Sequence, residues 1–399
     1  MRLREMRELV QLRPIEPDAT RRRLATCHDV SDLRRAAKRR IPRPVFDYVD
    51  GAADEELSAA ANVAAFRAWR FQPRILADVA AVDTSAPLFG STLPVPLALA
   101  PTGYTRMMHS HGEAGVARAA ARHGLPYTLS TMSTTGIEEV AAAVADTPLW
   151  FQLYILRDRE RAYSLVDRAA AAGYSALVVT VDTVVTGNRI RDTRNGLTIP
   201  PTLSPGTIAQ VAARPGYWLR LLGGPPLDFA NFPEERQTTI KGTGLFFDPS
   251  IDWQDVAELR KRWQGTLILK GPLGPADARR AVDAGVDAIQ LSNHGGRQLD
   301  RCAAPADLIA PVREVTGPGV PLLVDSGVRT GADLAVALAL GADAVAIGRA
   351  YLYGLMAGGE AGVDHALSIL TREFRMTMQL LGVTSVADLR KRGAELIAR

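Results

Sequence analysis

The segment SNHGGRQLD (Ser292 to Asp300) has the residue types and spacing to move a proton and hold an acid. A histidine flanked by glycines at the end of an apolar run is accessible, and imidazole exchanges protons near neutral pH. Arg297, three residues on, offers a planar fork for a carboxylate. A lone histidine is more often a satisfied structural residue; the glycines, the arginine and the position at the end of a run turn that reading around for His294. His109 and His111 lack this setting and read as structural or loop residues. Lys270 ends the apolar run TLILKG and must face an anion or an electron-rich group, because burying a lone ammonium is costly. Asp182 ends ALVVTVD, where it can orient an imidazolium. DSGVRTG (Asp325 to Gly331) and IGRA (Ile347 to Ala350) pair glycines with arginines. Gly327 and Gly348 allow close backbone approach, and N–H groups with Arg329 or Arg349 can hold a dianion. The plainer alternative is ordinary turns carrying surface arginines.

These groups need a scaffold that brings them together. After residue 90 the chain alternates short apolar runs with Ala-rich, helix-length stretches. The runs span 96–103, 126–131, 149–154, 176–182, 266–271, 288–296, 321–327 and 344–350. Each is continuously apolar, as in parallel strands buried on both faces, and Gly124 and Gly173 read as helix C-caps. Eight such units predict an α/β fold, a (β/α)8 TIM barrel, whose functional residues lie where the strands end. Those ends hold Thr102, Ser130, Gln152 and Tyr154, Thr180 and Asp182, Lys270, Ser292 and His294, Asp325, and Gly348 with Arg349. Almost all can hydrogen-bond, which a barrel with no function at that end would not require. The last two strands are the usual phosphate site of such barrels. No GxGxxG follows the first strand, which disfavours a nicotinamide dinucleotide.

The rest of the chain sets the boundaries. Residues 1–29 read as a basic N-terminal arm and 30–399 as the barrel unit, with a helical segment over Val30–Arg40. The span 195–250, between strands four and five, is too long for an ordinary loop and reads first as a lid over the site. Its alternative is a membrane-surface contact through PGYWLRLLGG. Residues 1–43 hold 13 Lys/Arg against 6 Asp/Glu, so the net charge of +4 sits in the arm and the barrel is near neutral. The arm reads as a solvated helix face; anionic lipid is the next reading, and nucleic acid the weakest, since RRAAKRR has no interleaved aromatics. The N-terminus has no apolar core of a secretory signal, and no run is long enough to span a membrane. Cys27 and Cys302 make no disulfide framework, pointing to the cytoplasm, and no Cys/His spacing points to a metal.

Taken together, FDYVDGAADEE, LAPTG, FQLY, TVDTVVTGNR, LKG, SNHGGRQLD, DSGVR and IGRAYLYGL resemble the FMN-dependent 2-hydroxy acid dehydrogenase/oxidase family, from about Val30 to the C-terminus. The family includes lactate, glycolate and mandelate enzymes and flavocytochrome b2. The resemblance implies FMN as cofactor and a role for each matching residue. His294 would be the base, paired with Asp182. Arg297, Arg189 and Tyr48 would bind the substrate carboxylate end, and Tyr154 its oxygen. Lys270 would lie at the N1/O2 edge of the flavin and stabilise its reduced anion. Pro101, Thr102 and Gly103 would face N5. Ser130, Gln152 and Thr180 would contact the ring. Asp325, Gly327, Arg329, Gly348 and Arg349 would hold the ribityl chain and phosphate, with Ser292 beside them.

Three departures stand out. The usual DGGxR reads DSGVR here, with Ser326, and Gly103 stands where the oxidases usually carry Ala, which favours an acceptor other than oxygen. Met132 stands where some relatives have an aromatic residue. No haem domain precedes the barrel, so the acceptor is expected to be external. The expected activity is oxidation of an L-2-hydroxy acid, foremost L-lactate, with electrons passing to a quinone or another respiratory carrier; whether the α-hydrogen leaves as hydride or as proton is open. The alternatives are an oxidase that makes peroxide from O2, another FMN barrel such as an isomerase, and a non-enzymatic binding protein. A homotetramer is the expected assembly. The location expected is the cytoplasm or the inner face of the cell membrane, with no nucleic-acid partner.

Overall fold

The structure is a computed structural model and describes residues 16–144, 147–196, 212–232 and 247–399. Eight strands form a closed barrel: β1 (Leu97–Leu99), β2 (Tyr127–Ser130), β3 (Leu149–Tyr154), β4 (Ala176–Thr180), β5 (Thr266–Gly271), β6 (Ala288–Leu291), β7 (Leu322–Val324) and β8 (Ala344–Ile347). Each pairs in parallel with its neighbours in chain order, and β8 closes onto β1. The eight continuous apolar runs are therefore the eight strands. Gly124 and Gly173 take φ of 63° and 81°, the left-handed conformation that ends their helices.

The two-residue alternation of a strand sorts these side chains. One set, including Leu99, Leu129, Leu177, Val179, Leu269 and Ile289, packs outward against the helices. The other, including Ala98, Trp150, Val178, Ile268, Ala288, Leu323 and Ala346, fills the barrel lumen. A short hairpin, Ala86–Leu88 against Ser91–Leu93, adds Leu88 and Leu93 to that lumen cluster. Its Phe89 stands edge-on to Trp150 at 5.5 Å, so the end where the strands begin is stoppered with apolar side chains. That leaves the opposite rim for polar groups.

Among the described residues, four helices precede the barrel: α1 (Ala19–Leu24), α2 (Val30–Arg40), α3 (Arg43–Asp50) and α4 (Leu57–Arg67). Asp18 caps α1 by accepting from the amides of Thr20 and Arg21, and Asp29 caps α2 through Asp32 N–H. Val30, Leu33 and Ala37 form the buried stripe of α2. Leu24 and Cys27 are buried too, and Arg23 Nε donates to Ala357 O on α6 (Arg349–Gly358) at 2.7 Å. The basic segment before residue 30 is thus packed on the barrel from α1 onward; residues 1–15 lie outside the described residues.

Of the span 195–250, residues 197–211 and 233–246 lie outside the described residues, and with them much of the expected lid. The described part holds α5 (Pro215–Leu222). Tyr217 anchors this helix by donating to Met107 O at 2.5 Å, while Leu219 and Leu222 are exposed at 75% and 79%. Among the described residues no helix is long and apolar enough to cross a membrane.

Candidate active site

Strand register sets the site. Tyr154 lies beside Thr180 and Thr180 beside Lys270 at the ends of β3, β4 and β5. Asp182 follows two residues after β4 begins its exit, and His294 three residues after β6. A cavity opens at this rim. Of the residues singled out from the sequence, it is lined by Tyr48, Pro101, Thr102, Gly103, Ser130, Tyr154, Arg189, Lys270, Ser292, His294, Arg297, Asp325, Gly327, Arg329, Gly348 and Arg349. Gln152, Thr180 and Asp182 stand behind this lining.

His294 Nδ1 lies 3.0 Å from Asp182 Oδ1. With the carboxylate accepting, Nδ1 carries the proton and Nε2 keeps its lone pair. The turn that presents the ring is unusual: His294, Gly295 and Gly296 all have positive φ, at 57°, 66° and 76°. Packing accounts for it. A Cβ on Gly296 would sit 2.6 Å from the Ala59 amide of α4. Asn62 of α4 and Asn293 also exchange two hydrogen bonds of 2.7 Å. The Ser292 hydroxyl accepts from His294 N–H at 3.0 Å and donates to Asp325 at 2.6 Å. A segment remote in sequence therefore fixes a strained loop, as expected of a working site.

The electrostatics are those of a base held by an acid. Burial alone would raise the Asp182 carboxyl, but the charges of His294 and Lys270 overcome it and hold the group far below the usual range. Burial lowers His294 below its ordinary value; Asp182 pulls it back up, while Lys270 and Arg189 press it down. Tyr154 is raised, first by burial and then by Asp182, so it stays a phenol able to donate. Its ring lies nearly parallel to the His294 imidazole, 6.4 Å away. Lys270 is buried, with Nζ 3.9 Å from Asp182 Oδ2 and 4.0 Å from Asp325 Oδ2. Both separations are too long for hydrogen bonds.

Arg297 stacks over the Tyr48 ring at 4.9 Å and donates to the carbonyls of Tyr48 and Gly51. Burial, then the charge of Arg189, push its guanidinium down to about 9. An anion in the cavity would relieve both. Arg189 Nη2 reaches Gln298 Oε1 at 3.4 Å, and its buried Nε lacks a partner.

The donor set suits FMN. Gln152 Nε2 and Thr180 Oγ1 are buried with no hydrogen-bond partner, a costly condition that a polar ring edge would cure. The Gln152 carbonyl is already taken by Ser130 Oγ at 3.0 Å. At β7 and β8, Gly327 has φ of 107° and packs so closely that a Cβ would lie 2.3 Å from Asn62 O. Gly348 caps the N-terminus of α6, a site that favours a phosphate. Arg349 differs from its expected use. Three of its five N–H bonds go to the carbonyls of Val49, Gly295 and Gly51. Its guanidinium pins α3 to the His294 loop, leaving mainly its backbone N–H and Arg329 for a phosphate.

Several neighbours were not singled out from the sequence. Thr183 donates to Asp182 Oδ1 at 2.8 Å. Gln298 donates to the carbonyls of Asp182 and Val185. Both sit next to residues that were recognised, in TVDT and HGGRQ. Phe229, from the interior of the long insert, and Phe247, from its C-terminal end, stand edge-on to Tyr104 at 4.8 Å and Tyr154 at 5.2 Å and line the cavity. Nothing in their local sequence marks them, because the fold alone returns both rings to the rim.

A parallel barrel with glycines and arginines at the ends of β7 and β8 and an acid-held imidazole on the same rim is the arrangement a flavin oxidoreductase needs. The chain matches the FMN-dependent dehydrogenases over residues 37–396 and belongs to that family, so its cofactor is FMN. It is 43% identical over 369 residues to L-lactate dehydrogenase of Caulobacter vibrioides, covering 90% of this chain and 95% of that one. A Mycobacterium tuberculosis protein provisionally assigned the same activity is 46% identical over 398 residues, covering 100% and 96%. Among solved structures, the monotopic membrane protein (S)-mandelate dehydrogenase matches with TM-score 0.89 and 36% identity, over 94% of this chain and 99% of that one. Mandelate oxidase matches with TM-score 0.79 and 37% identity, over 92% and 98%.

Proposed function

We propose that this protein oxidises an L-2-hydroxy acid, foremost L-lactate, to the 2-oxo acid. The observation that carries the reading is the His294–Asp182 contact of 3.0 Å on a cavity that also presents Arg297, Arg189 and Lys270. Arg297, with Arg189 and Tyr48, receives the substrate carboxylate. Tyr154 donates to the substrate oxygen. His294 Nε2 takes a proton, and the resulting imidazolium is stabilised by Asp182 across Nδ1. FMN supplies the two-electron acceptor. When FMN is bound, Lys270 would set a positive charge beside it, Gln152, Thr180 and Ser130 would hold its ring, and Gly327, Arg329, Gly348 and the Arg349 N–H would hold its phosphate. The names borne by the relatives at 42–46% identity support L-lactate.

The aromatic wall of Phe229, Phe247 and Tyr104 favours a second reading, in which a bulkier, mandelate-type side chain fits. Anaerobic mixing with L-lactate, glycolate and (S)-mandelate should bleach the flavin within seconds for the true substrate, and no bleaching with any of them ends the proposal. Reoxidation by a quinone analogue faster than by O2 supports a respiratory acceptor; peroxide formation at turnover rate supports an oxidase. Exposed Leu219 and Leu222 on α5 support a peripheral membrane contact, as the solved monotopic neighbour has. The expected assembly is a homotetramer, which light scattering would test.

A further inference from the structure

Outside the active site, a second cavity of about 350 Å³ lies between α1 and α2. Arg23, Arg35, Arg39 and Arg40 line it, with Asp32 as its one carboxylate. That carboxylate is committed: it pairs with Arg35 and accepts from His28 N–H. Arg40 makes no ion pair among the described residues, and its Nε is buried without a hydrogen-bond partner. Arg23 spends Nε on Ala357 O and Nη2 on Thr20. Asp18, whose charge also acts on Arg23, is occupied capping α1.

The surrounding field is positive as well. Burial, then Arg23 and Arg220, bring Arg40 down to about 10, and burial, then Arg220, lower Arg23. His109, also in this field, is pushed down to about 3 by burial, His111 and the same arginines. Like charges gathered this closely cost stability unless an anion joins them. Asp32 answers Arg35 alone, and among the described residues no carboxylate forms an ion pair with Arg23, Arg39 or Arg40.

The geometry points to this cavity as a binding site for a phosphate group, held by Arg23, Arg39 and Arg40, with Arg220 of α5 outside the lining but near enough for its charge to act on Arg23 and Arg40. Guanidinium forks match tetrahedral oxyanions in two-point contacts, and such charge-assisted bonds are stronger than neutral ones. The phosphate can belong to a soluble molecule or to a lipid headgroup. Arg220 lies next to exposed Leu219 on α5, so the headgroup source must be tested directly.

The experiment uses FMN-saturated protein, which keeps phosphate out of the flavin site. Inorganic phosphate, compared with chloride at equal ionic strength, should raise the melting temperature saturably, by about 2 °C at tenfold excess over its dissociation constant. Arg40→Gln and Arg220→Gln should abolish that rise and leave turnover with hydroxy acid unchanged. In phosphate-free buffer Arg40→Gln should melt no lower than wild type, because the charge it removes faces other cations. Sedimentation with phosphatidylglycerol/phosphatidylcholine vesicles separates the sources. Binding lost in Arg40→Gln and displaced by free phosphate assigns a headgroup. Phosphate binding without vesicle binding assigns a soluble ligand. A melting shift no greater than with chloride, one equal in wild type and variants, or a lower melting point for Arg40→Gln would overturn the site.

Discussion

The Ser326 hydroxyl accepts the amide N–H of Gly295 at 2.9 Å, tying the loop after β7 to the one that carries His294. The same hydroxyl donates to Asp325 Oδ1 at 2.7 Å. Ser326 has φ of 71°, a conformation a serine adopts at a cost of roughly 1–2 kcal/mol, where the family pattern DGGxR has glycine. The two hydrogen bonds offset that cost at about 1 kcal/mol each.

Substituting Ser326 separates the two effects. Ser326→Gly loses the bonds but relieves the backbone, so its stability should stay within about 1 kcal/mol of wild type. Ser326→Ala keeps the strain and loses both bonds, and should be destabilised by about 2 kcal/mol. Both should slow flavin reduction several-fold by loosening the His294 turn. Chemical denaturation gives the order, and an alanine variant as stable as wild type would remove the hydroxyl from this role.

Asp182 should control the acid limb of the pH profile. The base works when neutral, so kcat/KM falls as pH drops through the His294 value, which burial has already set below the ordinary one. Asp182 raises that value. Asp182→Asn should therefore lower the plateau by about 100- to 10 000-fold and shift the remaining acid limb to lower pH. A limb that stays in place, measured by steady-state rates from pH 4 to 8, would mean that another group controls it.

The sequence is legible where one physical rule dominates. Eight strands buried on both faces read as eight apolar runs, and rim residues such as Lys270 and His294 follow from their ends. The hairpin at Ala86–Leu93 was not legible, since its strands have three residues each and its role depends on the lumen they plug. Arg349 shows the limit most clearly. Its glycine neighbour and strand-end position indicate a phosphate ligand, but its partners are carbonyls of residues 49, 51 and 295. Only the folded arrangement of α3 and the His294 turn brings those oxygens to it.

Arg297 should act on substrate binding. Arg297→Met removes the fork that meets a carboxylate, so KM for L-lactate should rise about 100-fold with a smaller change in kcat. The guanidinium also braces Tyr48 O and Gly51 O, so Arg297→Lys, which keeps the charge but not the fork, should recover only part of the loss. FMN content, read from the flavin absorbance of purified protein, should stay near stoichiometric. A loss confined to FMN would place Arg297 in the cofactor's hold rather than the substrate's.

Gly103 should set how large a substrate the cavity admits. A Cβ placed there would lie 3.1 Å from both the Cβ and the carbonyl oxygen of Met132. Neither atom can swing aside, since one is backbone and the other is fixed to it. The end of β1 must then shift by a few tenths of an ångström, at an overpacking cost of about 1–3 kcal/mol. Because Gly103 and Met132 both line the cavity with Phe229 and Phe247, the space lost lies next to the substrate's side chain. Gly103→Ala should thus reduce kcat/KM for (S)-mandelate more than for L-lactate, by a ratio of roughly 10. Equal losses for the two acids would show that Gly103 touches only the cofactor, and the volume that discriminates between substrates would then fall to the aromatic wall contributed by the insert.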